Sequence, residues 1–131
     1  MTPILPSGWP RPKGYSNAVV AEGRQVFVAG MVGWNPVTCR FETDDFAGQF
    51  RQTLENVAAV LREAGAGPEH VVRTTWYITD KPAYLASLAA VGTAWREVMG
   101  RHYPAMAVVE VKALIEDRAK VEIEATAVLP R

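Results

Sequence analysis

Alternation of hydrophobic and polar positions predicts that much of the chain is β-strand. Apolar and β-branched residues recur at close spacing in five runs, which is typical of strands that bury one face. The five runs are residues 17–21, 25–29, 71–79, 106–114 and 120–129. Between the first two runs, Glu22-Gly23-Arg24 is a hairpin signal, so we expect those two strands to pair with each other.

Apolar residues at spacings of three and four predict two helices. The first follows Thr43-Asp44-Asp45, whose short side-chain oxygens can accept from free helix amides, and it ends at Gly65. The second begins at Asp80-Lys81-Pro82 and ends at Gly100. Proline lacks a backbone N–H, but in the first turn of a helix that group has no partner within the helix. Four prolines and two glycines in residues 1–14 predict an irregular N-terminal arm.

The element order ββαβαββ predicts one α+β domain over residues 1–131, with a mixed sheet and two helices packed on one face. Two helices cannot cover both faces of a sheet of about five strands. Both faces nevertheless carry apolar residues, since Val109 and Val111 alternate with Met106 and Val108. We therefore expect the uncovered face to meet another copy of the chain, which predicts a homo-oligomer.

Composition and charge exclude some classes of function. The formal net charge is 0, from 14 basic and 14 acidic residues, and no block of like charge favours nucleic acid or a membrane surface. Cys39 is the only cysteine and fits a reducing compartment, and no signal peptide or membrane span is apparent, so we expect a cytoplasmic protein. His70 and His102 lack partners at metal-ligand spacing, so we expect neither a metal nor a cofactor.

The sequence offers few candidates for catalytic or ligand-binding residues. Lys120, Glu122 and Glu124 are two apart, so a strand places them on one face. Two interpretations stay open: a solvated row of charges at a sheet edge, or a carboxylate in a cleft between subunits that holds and polarises a water. Trp34, beside the turn at Asn35-Pro36, is either exposed or closes a ligand cleft.

Six blocks in order resemble the RidA/YjgF family of small trimeric proteins, and they span nearly everything from Gly14 onward. The blocks are GYSNAV at 14–19, VFVAG at 26–30, QTLENV at 52–57, VVRTT at 71–75, PAMAVVEV at 104–111 and VEIEATA at 121–127. The resemblance implies a chorismate-mutase-like fold. It also implies a homotrimer, with the three sheets packed into a central barrel, the helices outside and small-molecule clefts between subunits.

The resemblance also implies an activity, the hydrolysis of reactive enamines and imines to a keto acid and ammonia. It assigns Glu122 to the hydrolytic water, Tyr15 to closing the cleft, and the backbone of Gly30 to lining it. The arginine that binds the substrate carboxylate in this family falls at Met106. Val108 stands where cysteine or threonine is frequent.

Met106 offers neither a charge nor a hydrogen-bond donor, so the resemblance implies a divergent member. Losing such an ionic contact costs several kcal/mol of binding to a carboxylate, on the order of 2–5 kcal/mol. The wall formed by Met106 and Val108 is apolar and suits a larger, less acidic ligand. Arg73, Arg101 and Arg118 are candidates to replace the missing charge.

Three functions therefore remain open. The favoured one is a RidA-like hydrolase or deaminase acting between subunits on an imine, enamine or related small nitrogen compound, other than the usual 2-imino acid. The second is a trimer without turnover that binds a small molecule or a partner protein. The third, RNA cleavage or translation inhibition, is disfavoured by the neutral charge.

Overall fold

The computed structural model describes all 131 residues. The elements are β1 Thr2–Ile4, β2 Ala18–Val20, β3 Arg24–Val32, α1 Phe46–Glu63, β4 Val71–Ile78, α2 Lys81–Ala86, α3 Leu88–Met99, β5 Ala105–Glu110 and β6 Val121–Leu129. One sheet has the order β3-β6-β4-β5, and β1 pairs with β2 separately. In the larger sheet β4 and β5 are parallel and the other pairs antiparallel, so the predicted α+β fold with a mixed sheet is confirmed.

Helices α1 and α3 pack on one face of the larger sheet, as predicted, and form a core of 19 buried hydrophobic residues with it. Along β6, Val121, Ile123 and Ala127 are fully buried, whereas Glu122 is half-buried and Glu124 exposed. We call the side away from the helices the open face. Its side chains include Phe27, Thr75, Tyr77, Ala107, Val109, Glu122, Glu124 and Thr126.

The apolar residues of β5 divide between the two faces. Val109 lies on the open face and is 42% exposed, and Phe27 is 74% exposed there. Met106 and Val108 lie on the helix side, where they pack against the core. The open face thus keeps exposed apolar side chains of the kind that favour contact with another protein surface.

Two predictions for the N-terminal region were wrong. Residues 1–14 are not irregular throughout, because Thr2–Ile4 forms β1 and satisfies the backbone of β2. The predicted hairpin does not form either, since β3 pairs with β6 instead of β2. Gly23, at φ +146°, packs against the Leu129 backbone where no Cβ would fit, and this contact turns the chain onto β6.

Two further boundaries differ from the predictions. The second helix is broken at Ser87, whose hydroxyl donates to the Ala83 carbonyl at 2.8 Å and satisfies the last turn of α2 locally. The strand predicted at 106–114 ends at Glu110, because its only neighbour, β4, ends at Ile78. No helix is both long and apolar enough to cross a membrane.

A buried glutamine connects α1 to the start of β6. Gln49 is fully buried and its Nε2 donates to the carbonyls of Thr43 at 3.0 Å and Arg118 at 2.9 Å. Its Oε1 accepts from the backbone N–H of Lys120 at 2.8 Å. These three bonds hold the loop that leads into β6, two residues before Glu122.

We predict that Gln49→Ala destabilises the protein by about 3 kcal/mol, because a fully buried side chain is removed and three backbone groups lose their partners. Urea unfolding measures the change, with the exposed Glu55→Ala on the same helix as the control, expected within about 0.5 kcal/mol of wild type. Equal stability of the two variants would contradict this role for Gln49.

Candidate functional site

Glu122 lies over Gly30, at an irregularity in β3. The pairing of β3 with β6 shifts between Val28 and Met31, which leaves Gly30 in a bulge. A Cβ built on Gly30 would lie 2.6 Å from Glu122 Oε2 and 2.8 Å from its Cδ. Only glycine leaves room for this carboxylate, so the two predicted site residues are brought together. We call this pair the Glu122 half-site.

Glu124, the second carboxylate of β6, is already hydrogen-bonded within the chain. The Tyr77 hydroxyl donates to Glu124 Oε1 at 2.7 Å, and this hydrogen bond raises the pKa of Tyr77 above its ordinary value of 10.0. Glu122 makes no side-chain hydrogen bond within the chain. Of the two acids on the open face, Glu122 is therefore the one free to bind a water or a ligand.

Met106 lies at the opposite edge of the sheet and lines a separate cavity of about 250 Å³ on the helix side, which we call the Met106 cavity. Four aromatic residues form much of its wall: Trp76, Tyr84, Trp95 and Tyr103. Burial raises the pKa of the Tyr84 hydroxyl above 10.0, so that group stays protonated and neutral at physiological pH. The cavity is suited to an apolar or aromatic ligand.

Tyr15 is placed beside this cavity by the N-terminal arm. Ser16 fastens the arm along the start of β5, because its hydroxyl donates to the Tyr103 carbonyl at 2.5 Å and its N–H to the Pro104 carbonyl at 3.0 Å. Gly14 and Tyr103 line both the Met106 cavity and the neighbouring cavity that Tyr15 lines. Tyr15 thus lines a cavity that is next to the Met106 cavity.

No single chain unites these two groups of residues. Glu122 lies on the open face in β6, and Met106 lies on the helix side of β5, with β4 between the two strands. A site that contains both Glu122 and Met106 therefore needs two copies of the chain.

Two other predicted site residues contribute side chains to neither the Glu122 half-site nor the Met106 cavity. The Trp34 ring packs on Phe41 at 5.9 Å between centroids, in the loop after β3. Val108 packs against the core opposite Trp76. Neither side chain lines the Met106 cavity.

The three arginines predicted to replace the missing charge lie in different parts of the structure. Arg118 is paired with Asp44, to which its Nη2 donates at 2.9 Å. Arg73 lies on the open face near Glu124, and Arg101 lies in the turn after α3. None of the three lines the Met106 cavity, but Arg73 lines a larger cavity of about 510 Å³ to which Met106 also contributes.

The sequence interpretation missed Arg96, a fourth arginine that does line the cavity. Arg96 is four residues after Gly92 on α3, and residues at that spacing are neighbours on one helix face. The signal available in the sequence was this glycine four residues before an arginine, which leaves the helix face beside the arginine open.

Comparisons with known proteins cover all of these residues. Residues 10–129 match the family model described as Endoribonuclease L-PSP. YyfB, a solved Rid-family protein of unknown function from Yersinia pestis, is 35% identical with a TM-score of 0.84, and 97% of each chain is covered. The RutC family protein PH0854 of Pyrococcus horikoshii is 36% identical over 95% of this chain and 94% of its own. Human 2-iminobutanoate/2-iminopropanoate deaminase is 28% identical over 87% of this chain and 79% of its own.

We predict different outcomes for alanine at two neighbouring glycines. At Gly30 a Cβ meets the flexible end of Glu122, so Gly30→Ala moves that carboxylate and keeps the fold. At Gly33 a Cβ would lie 2.9 Å from the backbone Cα of Gln49, so Gly33→Ala destabilises the protein by about 1–3 kcal/mol.

Thermal unfolding and a crystal structure of Gly30→Ala test this pair of predictions. An unmoved Glu122 carboxylate in Gly30→Ala, or a Gly33→Ala variant as stable as wild type, would contradict the prediction. Either result would show that the protein tolerates a Cβ at that glycine.

Proposed function

This chain belongs to the RidA/YjgF family, and we propose that it hydrolyses an imine or enamine at sites formed between the subunits of a homotrimer. Glu122 of one subunit handles the water, while the Met106 cavity of the next holds the substrate. Tyr15 closes that cleft and the backbone of Gly30 lines it. The human relative is named for deamination of 2-iminobutanoate and 2-iminopropanoate, which supports this class of reaction.

The observation that carries the proposal is the approach of the Glu122 carboxylate to Gly30, with 2.6 Å between Oε2 and a Cβ built there. A solvated row of surface charges needs no such glycine. A carboxylate without a partner in its own chain, held against a strand bulge, is arranged to hold a water at a defined place.

The reaction balances with one water and no cofactor. Water adds to the carbon of the C=N bond as Glu122 accepts a proton from it. Glu122 passes this proton to the nitrogen, which gives a neutral carbinolamine. The C–N bond then breaks as the proton of the carbinolamine hydroxyl is transferred through Glu122 to the leaving nitrogen, and the products are a carbonyl compound and ammonia. The Met106 wall selects substrates other than the small 2-imino acids, because it supplies no charge of its own.

The separation of the Glu122 half-site from the Met106 cavity supports the assembly of identical chains. Glu122 and Met106 lie on opposite faces of one sheet, so one active site takes each from a different subunit. The exposed Phe27 on the open face supplies apolar surface for that contact.

A trimer that binds a ligand without turnover is the second candidate, favoured by the loss of the charge at Met106. RNA cleavage, suggested by the description of the matching family model, is disfavoured by the net charge of 0. RNA binding that weakens steeply with added salt would support the RNA function instead.

We predict that Glu122→Gln lowers kcat at least about 100-fold, because general-base catalysis contributes about 10²–10⁴. Keto-acid release is followed with imines generated by an amino-acid oxidase, with neutral imines included. Glu124→Gln is the matched control on the same strand and face, and we expect it to keep activity because the Tyr77 hydroxyl can still donate to the amide oxygen. No release above buffer by wild type would leave only the binding function.

We also predict that two inactive variants restore activity when their subunits are mixed. Gly92→Leu fills the Met106 cavity, and Glu122→Gln removes the acid, so each pure trimer is inactive. In randomly mixed trimers about a quarter of the sites pair an intact cavity with an intact acid. Light scattering checks that each sample has three times the 14.4-kDa chain mass. An inactive mixture of exchanged subunits would place the whole site within one chain.

A further inference from the structure

Arg96 reaches the Met106 cavity across the surface of α3. Side chains of a helix lean toward its N-terminus, so Arg96 lies back over the turn that contains Gly92. A Cβ built on Gly92 would be 3.3 Å from Arg96 Nη1. Because Gly92 has no side chain, the guanidinium occupies the space above it, at the wall of the cavity.

This guanidinium is not neutralised within the chain. The three ion pairs of the structure join Arg51 to Glu97, His70 to Glu69, and Arg118 to Asp44. The only side-chain hydrogen bond of Arg96 is a long one, 3.4 Å from Nη2 to the Thr93 hydroxyl.

The charged residues around the cavity are of one sign. Lys13 is the only other charged side chain that lines it, and no aspartate or glutamate does. Two cations facing a mainly apolar cavity favour a ligand with an anionic group. Arg96 is the better suited of the two, because its planar guanidinium binds a carboxylate through two parallel hydrogen bonds.

The walls of the cavity favour an aromatic body for this ligand. Both indole N–H groups are already used, since Trp76 donates to the Thr74 hydroxyl at 3.0 Å and Trp95 donates to the His102 carbonyl at 2.9 Å. The two indoles, each 4% exposed, therefore present only apolar ring edges and faces to the cavity. Met106 adds a polarisable thioether, which packs favourably against aromatic rings.

We propose that Arg96 is the carboxylate-binding, specificity-determining residue of the Met106 cavity, and that its ligand is a carboxylic acid with an aromatic side chain. This inference rests on the proposed function, under which the substrate is a 2-imino acid with an aromatic side chain. Its ring lies against Trp76 and Trp95, and its carboxylate binds Arg96 on α3 in place of an arginine on β5.

Calorimetric titration of the assembled protein with phenylacetate and with phenylacetamide tests the proposal, because the two probes differ only in the charged group. We expect wild type to bind phenylacetate about tenfold or more tightly than phenylacetamide. Arg96→Met removes that preference and leaves phenylacetamide binding unchanged. Arg96→Lys restores part of it, since a lysine keeps the charge without the planar fork.

Arg62→Met is the matched control, an exposed arginine on α1 without an ion pair, and it should keep the preference of wild type. Equal binding of the two probes by wild type, no binding of either, or a preference that survives in Arg96→Met would each overturn the assignment.

Turnover separates failure of this inference from failure of the proposed function. With the imine of phenylalanine, Arg96→Met should lower kcat/KM about tenfold or more, mainly through KM. If Glu122→Gln abolishes hydrolysis but Arg96→Met does not change kcat/KM, the function stands and the assignment of Arg96 fails. If no imine is hydrolysed but phenylacetate binding still depends on Arg96, the site stands and the hydrolase function fails.

Discussion

The alternation of side chains along β6 is the constraint on which the rest of the molecule depends. Its odd-numbered residues are buried beneath the helices, and its even-numbered residues face the open side. A slip of one residue would turn Glu122 and Glu124 into the core, at the high cost of burying unpaired charges. β6 pairs on both sides, with β3 and β4, and Gln49 holds the loop before it. The position of Glu122 over Gly30 is therefore set by core packing.

The same alternation explains why the chemistry is divided between two surfaces. Strand β5 runs parallel to β4, so Met106 lies opposite the buried Thr74 and faces the helices, while Glu122 lies opposite Tyr77 and faces away. One sheet cannot direct both side chains into one cleft. Under the proposed function, assembly of identical chains is a requirement of the chemistry, in addition to covering exposed apolar surface such as Phe27.

Under the proposed assignment of Arg96, the charge that binds the carboxylate comes from a helix, and the fold does not change. A cation at position 106 would project from a strand into the cavity, whereas Arg96 reaches it from a helix, across a glycine. An arginine on the strand and an arginine on the helix would thus place the guanidinium at different walls of the same cavity. In the proposed site, a ligand bound through Arg96 has its carboxylate near α3 and leaves the β5 wall to apolar contact with Met106. A preference for a larger, aromatic substrate follows from that arrangement.

Local patterns were sufficient for most of the fold, because helices and buried strands have their own periodicity and caps. The N-cap of α1 at Asp45, both helix stripes and the acid at Glu122 were predictable in this way. Pairing partners were not, since the choice of β6 over β2 as the neighbour of β3 depends on contacts a hundred residues apart, such as Gly23 with Leu129. The sequence by itself determined most of the elements, the family and the absence of a charged side chain at position 106. Only the tertiary structure decided which residues share a face and that Arg96 reaches the cavity, because helix and strand packing, and not spacing along the chain, brings those side chains together.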